Sequence, residues 1–493
     1  MEPVLRPDEM RAADEAAISA GTPSAELMDR AAHACAVTAL RMLGGAYGKR
    51  IVVIAGKGNN GGDGIICARK LNAAGAHARV VRVDEWPGTL PAADLVIDAI
   101  FGTGFSRAPS GDAERAIEAI NTSPAPVLAI DIPSGVNGAD GSIPGVAVRA
   151  DVTLAIQALK VGHVSLPGAS CCGRIDVADI GIPVTTMTTF MPDARDVRGV
   201  LPDALPDTHK YEVGALGVLA GSAGMTGAAI LTAHAAIRAG AGLVIMGVPS
   251  STLAVFENAV IEAIKVPLPE SEGQLEAKAV DEFADRLERC RALAVGPGLG
   301  RGPRAIAVVR RAIDVPLPLL IDGDGLWALA EVLQDEPDAL RTRGHGTVLT
   351  PHGGEYAFLA GRKTSDDHVN DARSLASRLH ATVHLKGRRA VTASPMGTVW
   401  INTTGNPGAA TGGTGDVLTG IVSSLLAQGM VPDGAAWAGA YLHGLAADVV
   451  ASRIGRRSLA ASDLPDSLGH AFRIVARATH NVGRLRTVLE PLS

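Results

Sequence analysis

The sequence predicts two α/β domains, each built on a parallel sheet covered by helices on both faces. Short apolar, β-branched runs alternate with longer Ala-rich segments, first over 51–156 and again over 216–385. A stretch rich in Pro and Asp over about 183–211 interrupts this alternation, and 493 residues are too many for one hydrophobic core. We therefore predict a boundary near residue 205, with domains over residues 1–205 and 206–493.

The predicted strands are continuous apolar runs, which is typical of parallel strands buried on both faces. In the first domain they are IVVIA (51–55), RVVRV (79–83), LVIDAI (95–100), VLAIDI (127–132) and VTLAI (152–156). In the second they are LGVLA (216–220), LVIMG (243–247), LAVG (293–296), LLID (319–322), TVLT (347–350) and TVHL (382–385). Helical lengths of chain separate them, as βαβ units require.

Composition and charge exclude several classes of protein. A formal charge of −6 and only 3% aromatic residues disfavour nucleic-acid binding, whereas 58 glycines favour tight phosphate-binding turns. The five cysteines lack disulfide or zinc-site spacing, and the N-terminal segment does not resemble a signal peptide, so we expect a cytoplasmic protein. The uncharged stretch Val213–Ile237 is broken by Gly, Ser and Thr, which indicates a buried strand, loop and helix and no membrane association.

A glycine-rich loop follows the first of these strands. The segment GKGNNGGDG (56–64) precedes a predicted helix, so free backbone N–H groups at the helix N-terminus are available to a phosphate. Three of its glycines match G-x-G-x-x-G, which keeps a dinucleotide-dependent dehydrogenase open as an alternative. A tight turn without a ligand would show the same glycines.

Polar residues end the later strands of the first domain. Asp98, Asp131 and Ser134 follow two neighbouring strands, and Asn60 and Lys160 lie at comparable positions. Because the carboxyl ends of parallel strands share one edge, we expect these side chains to converge. Neutral and anionic oxygens suit a hard cation, and Asp131 with Lys160 forms an acid/base pair for moving a proton on and off one carbon.

The motifs GKGNNGGDG, DAIFGTGF, DIPSG and ALKVGH together resemble the NAD(P)H-hydrate epimerase family over most of residues 1–200. The resemblance implies a Rossmann-like α/β/α sandwich with K⁺ held by Asn60, Asp98 and Ser134. It also implies that the hydrated dinucleotide is bound by Asn59, Asn60, Gly61, Gly62, Asp63, Gly102, Thr103, Gly104, Phe105, Ser106, Arg107, Ala108 and Asp131. Proton transfer by Asp131 and Lys160 is our own hypothesis.

A second glycine-rich segment, GNPGAATGGTGD (405–416), leads directly into a predicted helix. Its backbone N–H groups and the helix dipole can receive a phosphoryl group, while Asp416 removes a proton from the accepting hydroxyl. The Walker pattern G-x-x-x-x-G-K-[ST] is absent from the sequence. The GTGD motif before a helix resembles the ribokinase-like superfamily, in which sugar and vitamin kinases are the default function.

The neighbouring motifs favour a rarer member of that superfamily. His209-Lys210, AGSAGMTGAA (220–229), GPGLG (296–300), LTPHGGE (349–355) and KGRRAV (386–391) resemble the NAD(P)H-hydrate dehydratase family over about 205–490. The resemblance places the hydrate on Ala228, Gly298, His352 and Asp416. It places the AMP part of the nucleotide on Lys386, Gly387, Arg388, Arg389, Ala390 and Gly415. We infer no specificity from the two arginines.

Together the two resemblances imply repair of hydrated nicotinamide cofactors. The first domain would interconvert the R and S hydrates, and the second would dehydrate the S form with ADP, giving NAD(P)H, AMP and phosphate. We expect Mg²⁺ with the nucleotide and a homo-oligomeric assembly. Two alternatives stay open: a small-molecule kinase in the second domain, and a catalytically silent binding module in the first.

Overall fold

The computed structural model describes residues 1–185, 187–203, 210–478 and 485–489, which form two compact units. The first unit comprises Glu2–Phe190 together with the C-terminal strand, and the second begins at Met191. Each unit is an α/β structure with a largely parallel sheet, as the sequence predicts.

The first unit begins with a short strand and two helices before its central sheet. Its strands are β1 (Glu2–Leu5), β2 (Arg50–Ala55), β3 (His77–Arg82), β4 (Leu95–Ala99), β5 (Val127–Ile130), β6 (Val152–Ile156), β7 (Leu159–Lys160) and β8 (Arg174–Ala178). Its helices are α1 (Pro7–Ser19), α2 (Ser24–Leu43), α3 (Asn59–Ala73), α4 (Asp112–Thr122) and α5 (Val161–Val164). The strand β9 (Thr189–Met191) spans the division between the units.

The central sheet of the first unit is parallel in the order β8-β6-β5-β4-β2-β3. Both of its faces are buried. On β2, Ile51 and Val53 pack in the core cluster that contains α2 and α3, whereas Val52 and Ile54 pack in the cluster that contains α4. The apolar run IVVIA therefore reflects a strand with helices on both sides, which confirms the predicted sandwich.

The second unit has a longer sheet and a central pair of helices. Its strands are β10 (Ala215–Leu219), β11 (Leu243–Pro249), β12 (Ile264–Leu268), β13 (Glu270–Ser271), β14 (Gln274–Leu275), β15 (Ala292–Val295), β16 (Leu319–Ile321), β17 (Thr347–Leu349), β18 (Thr382–Leu385), β19 (Val391–Ala393) and β20 (Val399–Ile401). Its helices are α6 (Ala194–Val200), α7 (Lys210–Val213), α8 (Thr226–Arg238), α9 (Leu253–Ala259), α10 (Lys278–Leu287), α11 (Pro303–Ile313), α12 (Asp324–Asp335), α13 (Gly353–Ala360), α14 (His368–Leu379), α15 (Thr414–Ala427), α16 (Pro432–Ile454) and α17 (Asp463–Ala476).

Strands of this unit run parallel in the order β12-β11-β10-β15-β16-β17-β18, and β19 and β20 extend the sheet antiparallel. The uncharged stretch 213–237 forms β10, a loop and α8, as predicted. Within the described part of the chain, no helix combines the length and apolarity needed to cross a bilayer.

The C-terminal strand β21 (Leu485–Leu489) pairs antiparallel with β8 and so belongs to the sheet of the first unit. The predicted second domain, over residues 206–493, includes this strand, whereas the structure places it in the first unit. The backbone hydrogen-bonding groups at the β8 edge accept this strand from more than 300 residues away in sequence, a pairing that leaves no local signal. The units also divide at Phe190, before the predicted boundary; residue 205 and His209 lie outside the described residues.

Close packing of α15 against α8 leads to a stability prediction. A Cβ atom added at Gly420 would lie 2.2 Å from the backbone oxygen of Thr232. We expect Gly420→Ala to lower the free energy of unfolding by about 1–3 kcal/mol, because the backbone of α8 or α15 must move to admit the added methyl group. Urea unfolding of the full chain measures this change.

Gly469→Ala on α17 is the matched control. Its Cβ meets no atom within 4 Å, so we expect the free energy of unfolding to rise by about 0.5–1 kcal/mol. Equal effects at both positions would contradict the argument.

Candidate active sites

A cleft of about 570 Å³ opens at the carboxyl ends of the parallel strands of the first unit. The predicted residues that line it are Asn59, Asn60, Asp63, Gly102, Thr103, Gly104, Phe105, Arg107, Asp131 and Lys160. The predicted residues Gly61 and Gly62, in the first turn of α3, and Ser106 and Ala108 are not part of the cleft wall. Sequence motifs that are far apart in the chain thus meet at one edge of the sheet, as predicted.

The glycines of the first loop allow two backbone segments to approach closely. A Cβ at Gly56 would lie 2.0 Å from the Ile100 backbone oxygen, and one at Gly61 would lie 2.0 Å from the Gly56 oxygen. These close contacts hold the glycine-rich loop against the end of β4. Helix α3 begins at Asn59, beside the cleft. Gly61 therefore shapes the site without facing it.

Asp131 and Lys160 form an ion pair at the base of the cleft. The Lys160 ammonium, whose side chain is 1% exposed, lies 2.5 Å from Asp131 Oδ1 and 2.7 Å from the Ile156 carbonyl oxygen. Burial alone would raise the pKa of Asp131, but the charge and hydrogen bond of Lys160 hold it below its usual value. Asp131 is therefore ionised in the folded protein.

His163 fixes the backbone of Asp131. In the sequence, His163 is only the last residue of the ALKVGH motif, and nothing there indicates this role. Its Nδ1 accepts the Lys160 backbone N–H at 2.9 Å, so Nε2 carries the proton and donates to the Asp131 carbonyl oxygen at 2.6 Å. Burial lowers the pKa of His163 to about 4 and keeps the ring neutral. Asp131 is held at φ +66°, a left-handed conformation rare for a residue other than glycine.

Two further carboxyl groups face the same cleft. Burial, followed by repulsion from Asp131 and Asp14, raises the pKa of Asp63 to about 7, and its buried Oδ1 has no hydrogen-bond partner among the described residues. Asp14 was missed in the sequence; it lies on α1 between Met10 and Ile18, four residues from each, and all three line the cleft. An acidic residue within the apolar stripe of an amphipathic helix is the signal that identifies it.

The predicted cation ligands Asn60, Asp98 and Ser134 also converge, around Phe101. Ser134 Oγ donates to Asp98 Oδ1 at 2.6 Å and accepts the Phe101 N–H at 2.8 Å, while Asn60 Nδ2 donates to the Phe101 carbonyl oxygen at 2.9 Å. Asn60 Oδ1 is buried without a partner among the described residues. Burial raises the pKa of Asp98 to about 6. An unsatisfied amide oxygen beside a buried carboxyl group and a hydroxyl group is a donor set that fits a hard cation.

In the second unit, Asp416 lies in the first turn of α15, directly after the predicted glycine-rich loop. Gly413, at φ +92°, turns the chain into the helix, whose first N–H groups face the loop. Burial and then the charge of Asp322 raise the pKa of Asp416 to about 7. A carboxyl group with this pKa can accept a proton near neutral pH next to a helix N-terminus that attracts phosphate.

Lys386 lies beside this turn in a buried ionic cluster. Its Nζ is 2.7 Å from Asp322 Oδ1 and 3.5 Å from Glu355 Oε2, and a Cβ at Gly415 would lie 3.2 Å from the same nitrogen. The predicted residues Lys386, Gly415 and Asp416 are thus brought together. Asp322 and Glu355 were not predicted, although Asp322 ends the strand LLID and Glu355 closes LTPHGGE.

The rest of the KGRRAV segment contributes less to the cluster. Gly387 and Arg388 are exposed, while Arg389 is half-buried and donates to the Thr403 carbonyl oxygen at 3.2 Å. Ala390 is buried. Binding of the AMP part of the nucleotide by this segment stays a prediction.

The residues predicted to bind the hydrate occupy two places. Gly298 packs on the start of α8: its φ is +59°, and an added Cβ would lie 2.5 Å from the Met225 oxygen and 3.1 Å from Ala228 Cβ. His352 caps α13, where Nδ1 accepts the N–H groups of Gly354 and Glu355 at 2.9 and 3.1 Å. The His352 side chain remains 59% exposed, and its Nε2 lies 3.5 Å from Glu355 Oε1.

Family models match both units. Residues 216–469 match the model described as NAD(P)H-hydrate dehydratase, and residues 24–90 and 82–162 match the YjeF-related protein N-terminus. The bifunctional NAD(P)H-hydrate repair enzyme of Moorella thermoacetica is 39% identical over 86% of this chain and 88% of its own. That of Escherichia coli is 32% identical over 94% and 92%. This chain belongs to the bifunctional NAD(P)H-hydrate repair enzymes.

Solved structures agree for the second unit. The ADP/ATP-dependent NAD(P)H-hydrate dehydratase from Bacillus subtilis, co-crystallised with ATP/Mg²⁺, has a TM-score of 0.50 and 30% identity, covering 57% of this chain and 97% of its own. A ribokinase-like superfamily protein from Enterococcus faecalis, with a TM-score of 0.52 and 22% identity over 60% and 99% of the two chains, shares the fold. The predicted resemblances to an epimerase and a ribokinase-like dehydratase are confirmed.

The raised pKa of Asp416 leads to a prediction about stability. Between its unperturbed pKa of 3.8 and its folded pKa of about 7, the native state binds more protons than the unfolded state, so this group destabilises the fold as pH rises. We expect Asp416→Asn to raise the free energy of unfolding by about 1–3 kcal/mol at pH 8 and by less at pH 5.

Urea unfolding midpoints of the full chain at the two pH values measure this difference. Asp285→Asn, on the exposed face of α10, is the control and should leave the midpoint unchanged. A gain from Asp416→Asn that is equal at pH 5 and pH 8 would show that burial does not shift the titration of this carboxyl group.

Proposed function

We propose that the first unit interconverts the R and S forms of NAD(P)H hydrate, and that the second dehydrates the S form with ADP, giving NAD(P)H, AMP and phosphate. The observation that carries the proposal is Asp416, a carboxyl group with a pKa of about 7 at the N-terminus of α15. It combines a base and an anion site within one helical turn, which phosphorylation of a hydroxyl group requires.

The dehydration proceeds through an activated leaving group. Asp416 accepts the proton of the C6 hydroxyl group as its oxygen attacks the terminal phosphoryl group of ADP, and AMP leaves. The lone pair of the ring nitrogen then expels phosphate, and loss of a proton from the adjacent carbon completes the ring double bond. Backbone N–H groups of Gly413–Gly415 and the helix dipole stabilise the charge on the transferred group. Mg²⁺ bound with the nucleotide would neutralise further phosphate charge.

For the epimerase, we propose Asp131 and Lys160 as the proton-transfer pair. Asp131 is ionised and Lys160 is buried against it, so an acceptor and a donor lie within 2.5 Å of each other at the base of the cleft. Asn60, Asp98 and Ser134 would hold K⁺, whose charge would neutralise Asp98 and order the loop around Phe101. The other cleft-lining loops would hold the dinucleotide.

We propose that the protein works in the cytoplasm. All five cysteines are unpaired and buried, which supports a reducing compartment such as the cytoplasm. A homo-oligomer stays a prediction from the family resemblance.

A mixed R/S NADH hydrate with Mg²⁺ and K⁺ tests the dehydratase proposal. We expect ADP to restore the full absorbance of reduced nicotinamide in the wild type, and ATP to do so less efficiently. Asp416→Asn should slow ADP-dependent recovery by about 10²–10⁴-fold, because the base is lost while the anion site remains. Interconversion of R and S by this variant should persist. A stable phosphorylated product without NADH would instead establish a small-molecule kinase.

The same substrate tests the first unit. Asp131→Asn should recover the S fraction quickly and the R fraction only at its spontaneous rate, with R-to-S interconversion slowed by about 10²–10⁴-fold. Chromatography of the two epimers over time measures this. Asp112→Asn, at an exposed surface position on α4, is the control and should interconvert them at wild-type rate. A wild-type protein that itself leaves the R fraction unrepaired would be a binding module.

A further inference from the structure

The ionic cluster around Lys386 contains more negative charge than one ammonium can neutralise. Lys386 contacts Asp322 and Glu355, and both carboxylates act electrostatically on Asp416, as does Asp324 at the start of α12. Asp322 is the most buried partner, with a side chain 2% exposed against 18% for Lys386. A buried carboxylate is stable only when its charge is paired and hydrogen-bonded.

Both oxygens of Asp322 are engaged, which fixes its orientation. Oδ1 accepts from Lys386 Nζ, and Oδ2 accepts from Thr419 Oγ1, each at 2.7 Å. Thr419 is three residues after Asp416 on α15, so the base and the group that holds Asp322 share one helix. Displacement of Asp322 would therefore move Lys386 relative to Asp416.

We propose that Asp322 is a positioning residue of the dehydratase site, which holds the Lys386 ammonium beside Gly415 and so sets the balance of charge at Asp416. The proposal rests on the function of Asp416 as the base. Among the described residues, Lys386 and Asp416 share no hydrogen bond, so Lys386 acts on Asp416 through its charge. A side chain at residue 415 would crowd the ion pair, because its Cβ would lie 3.2 Å from Lys386 Nζ and 3.8 Å from Asp322 Oδ2.

Asp322 and Lys386 act on Asp416 in opposite directions. After burial, the Asp322 charge is the largest influence raising the pKa of Asp416, whereas Lys386 lowers it; Glu355 and Asp324 raise it further. Lys386 itself stays charged, because Asp322 and Glu355 outweigh the effect of burial and raise its pKa.

The experiment is the pH dependence of kcat/KM for the S hydrate at saturating ADP and Mg²⁺, whose acid limb reports the base of the free enzyme. Asp322→Asn should move that limb to lower pH by about one unit, because a negative neighbour is lost and Lys386 is freed. Lys386→Met should move it to higher pH by a similar amount. Lys386→Arg, which keeps the charge, should restore the wild-type limb.

Thr419→Val is the matched control, because it removes a hydrogen bond to Asp322 and no charge. It should lower kcat/KM by up to about tenfold and move the limb by less than either change of charge does. The proposal is overturned if Asp322→Asn and Lys386→Met move the limb in the same direction or leave it in place. Because Lys386→Met and Lys386→Arg do not alter Asp322, they decide the question even if Asp322→Asn does not fold.

Failure of the proposed function gives a different result. An Asp416→Asn protein that keeps the wild-type acid limb would show that Asp416 is not the base, whatever the other variants do. The proposed function stands if Asp416→Asn is inactive while the Asp322 and Lys386 variants keep the acid limb of the wild type. That result contradicts only the positioning role of Asp322.

Discussion

A lysine ammonium buried against an aspartate carboxylate lies at the centre of each site. Lys160 pairs with Asp131 in the first unit and Lys386 with Asp322 in the second, at 2.5 and 2.7 Å. Desolvation makes either charge unstable alone, and the mutual attraction offsets that cost only while the geometry is kept. The backbone around each pair is arranged to keep it: His163 holds Asp131 in the first unit, and Thr419 holds Asp322 in the second.

Because of these ion pairs, chemically identical carboxyl groups within one site have different pKa values and different protonation states. In the first unit the pKa of Asp131 lies below its usual value, while that of Asp63, buried without a cation of its own, is about 7. In the second unit Asp322 is ionised and Asp416 titrates at about 7. Each site therefore contains one carboxylate that stays charged at neutral pH and one carboxyl group that titrates near it, and the carboxylate that stays charged is the one paired with a lysine.

Parallel strand pairing explains why both sites lie where they do. Asp98 of β4 pairs in register with Ala129 of β5, so the loops that follow these strands leave the sheet at the same level. Asp322 follows β16 in the second unit in the same way. The carboxyl edge of a parallel sheet also faces the N-termini of the helices that follow the strands, which brings anion-binding backbone and ionisable side chains to one place.

The sequence by itself determined the fold class, most of the parallel strands of the two sheets, the two glycine-rich loops and the group of strand-end polar residues. These features depend on local patterns: continuous apolar runs, glycines before helices, and Asp or Ser directly after a strand. The family followed from motifs of the same local kind.

Only the tertiary structure decided which side chains touch. Asp14, His163, Glu355 and Asp322 join their sites through contacts that the patterns around them in the sequence do not specify. The strand β21 joins the sheet of the first unit by backbone pairing with a distant part of the chain. Protonation states were likewise beyond the sequence, because the pKa of a carboxyl group depends on its burial and on the distance to charges that folding brings near.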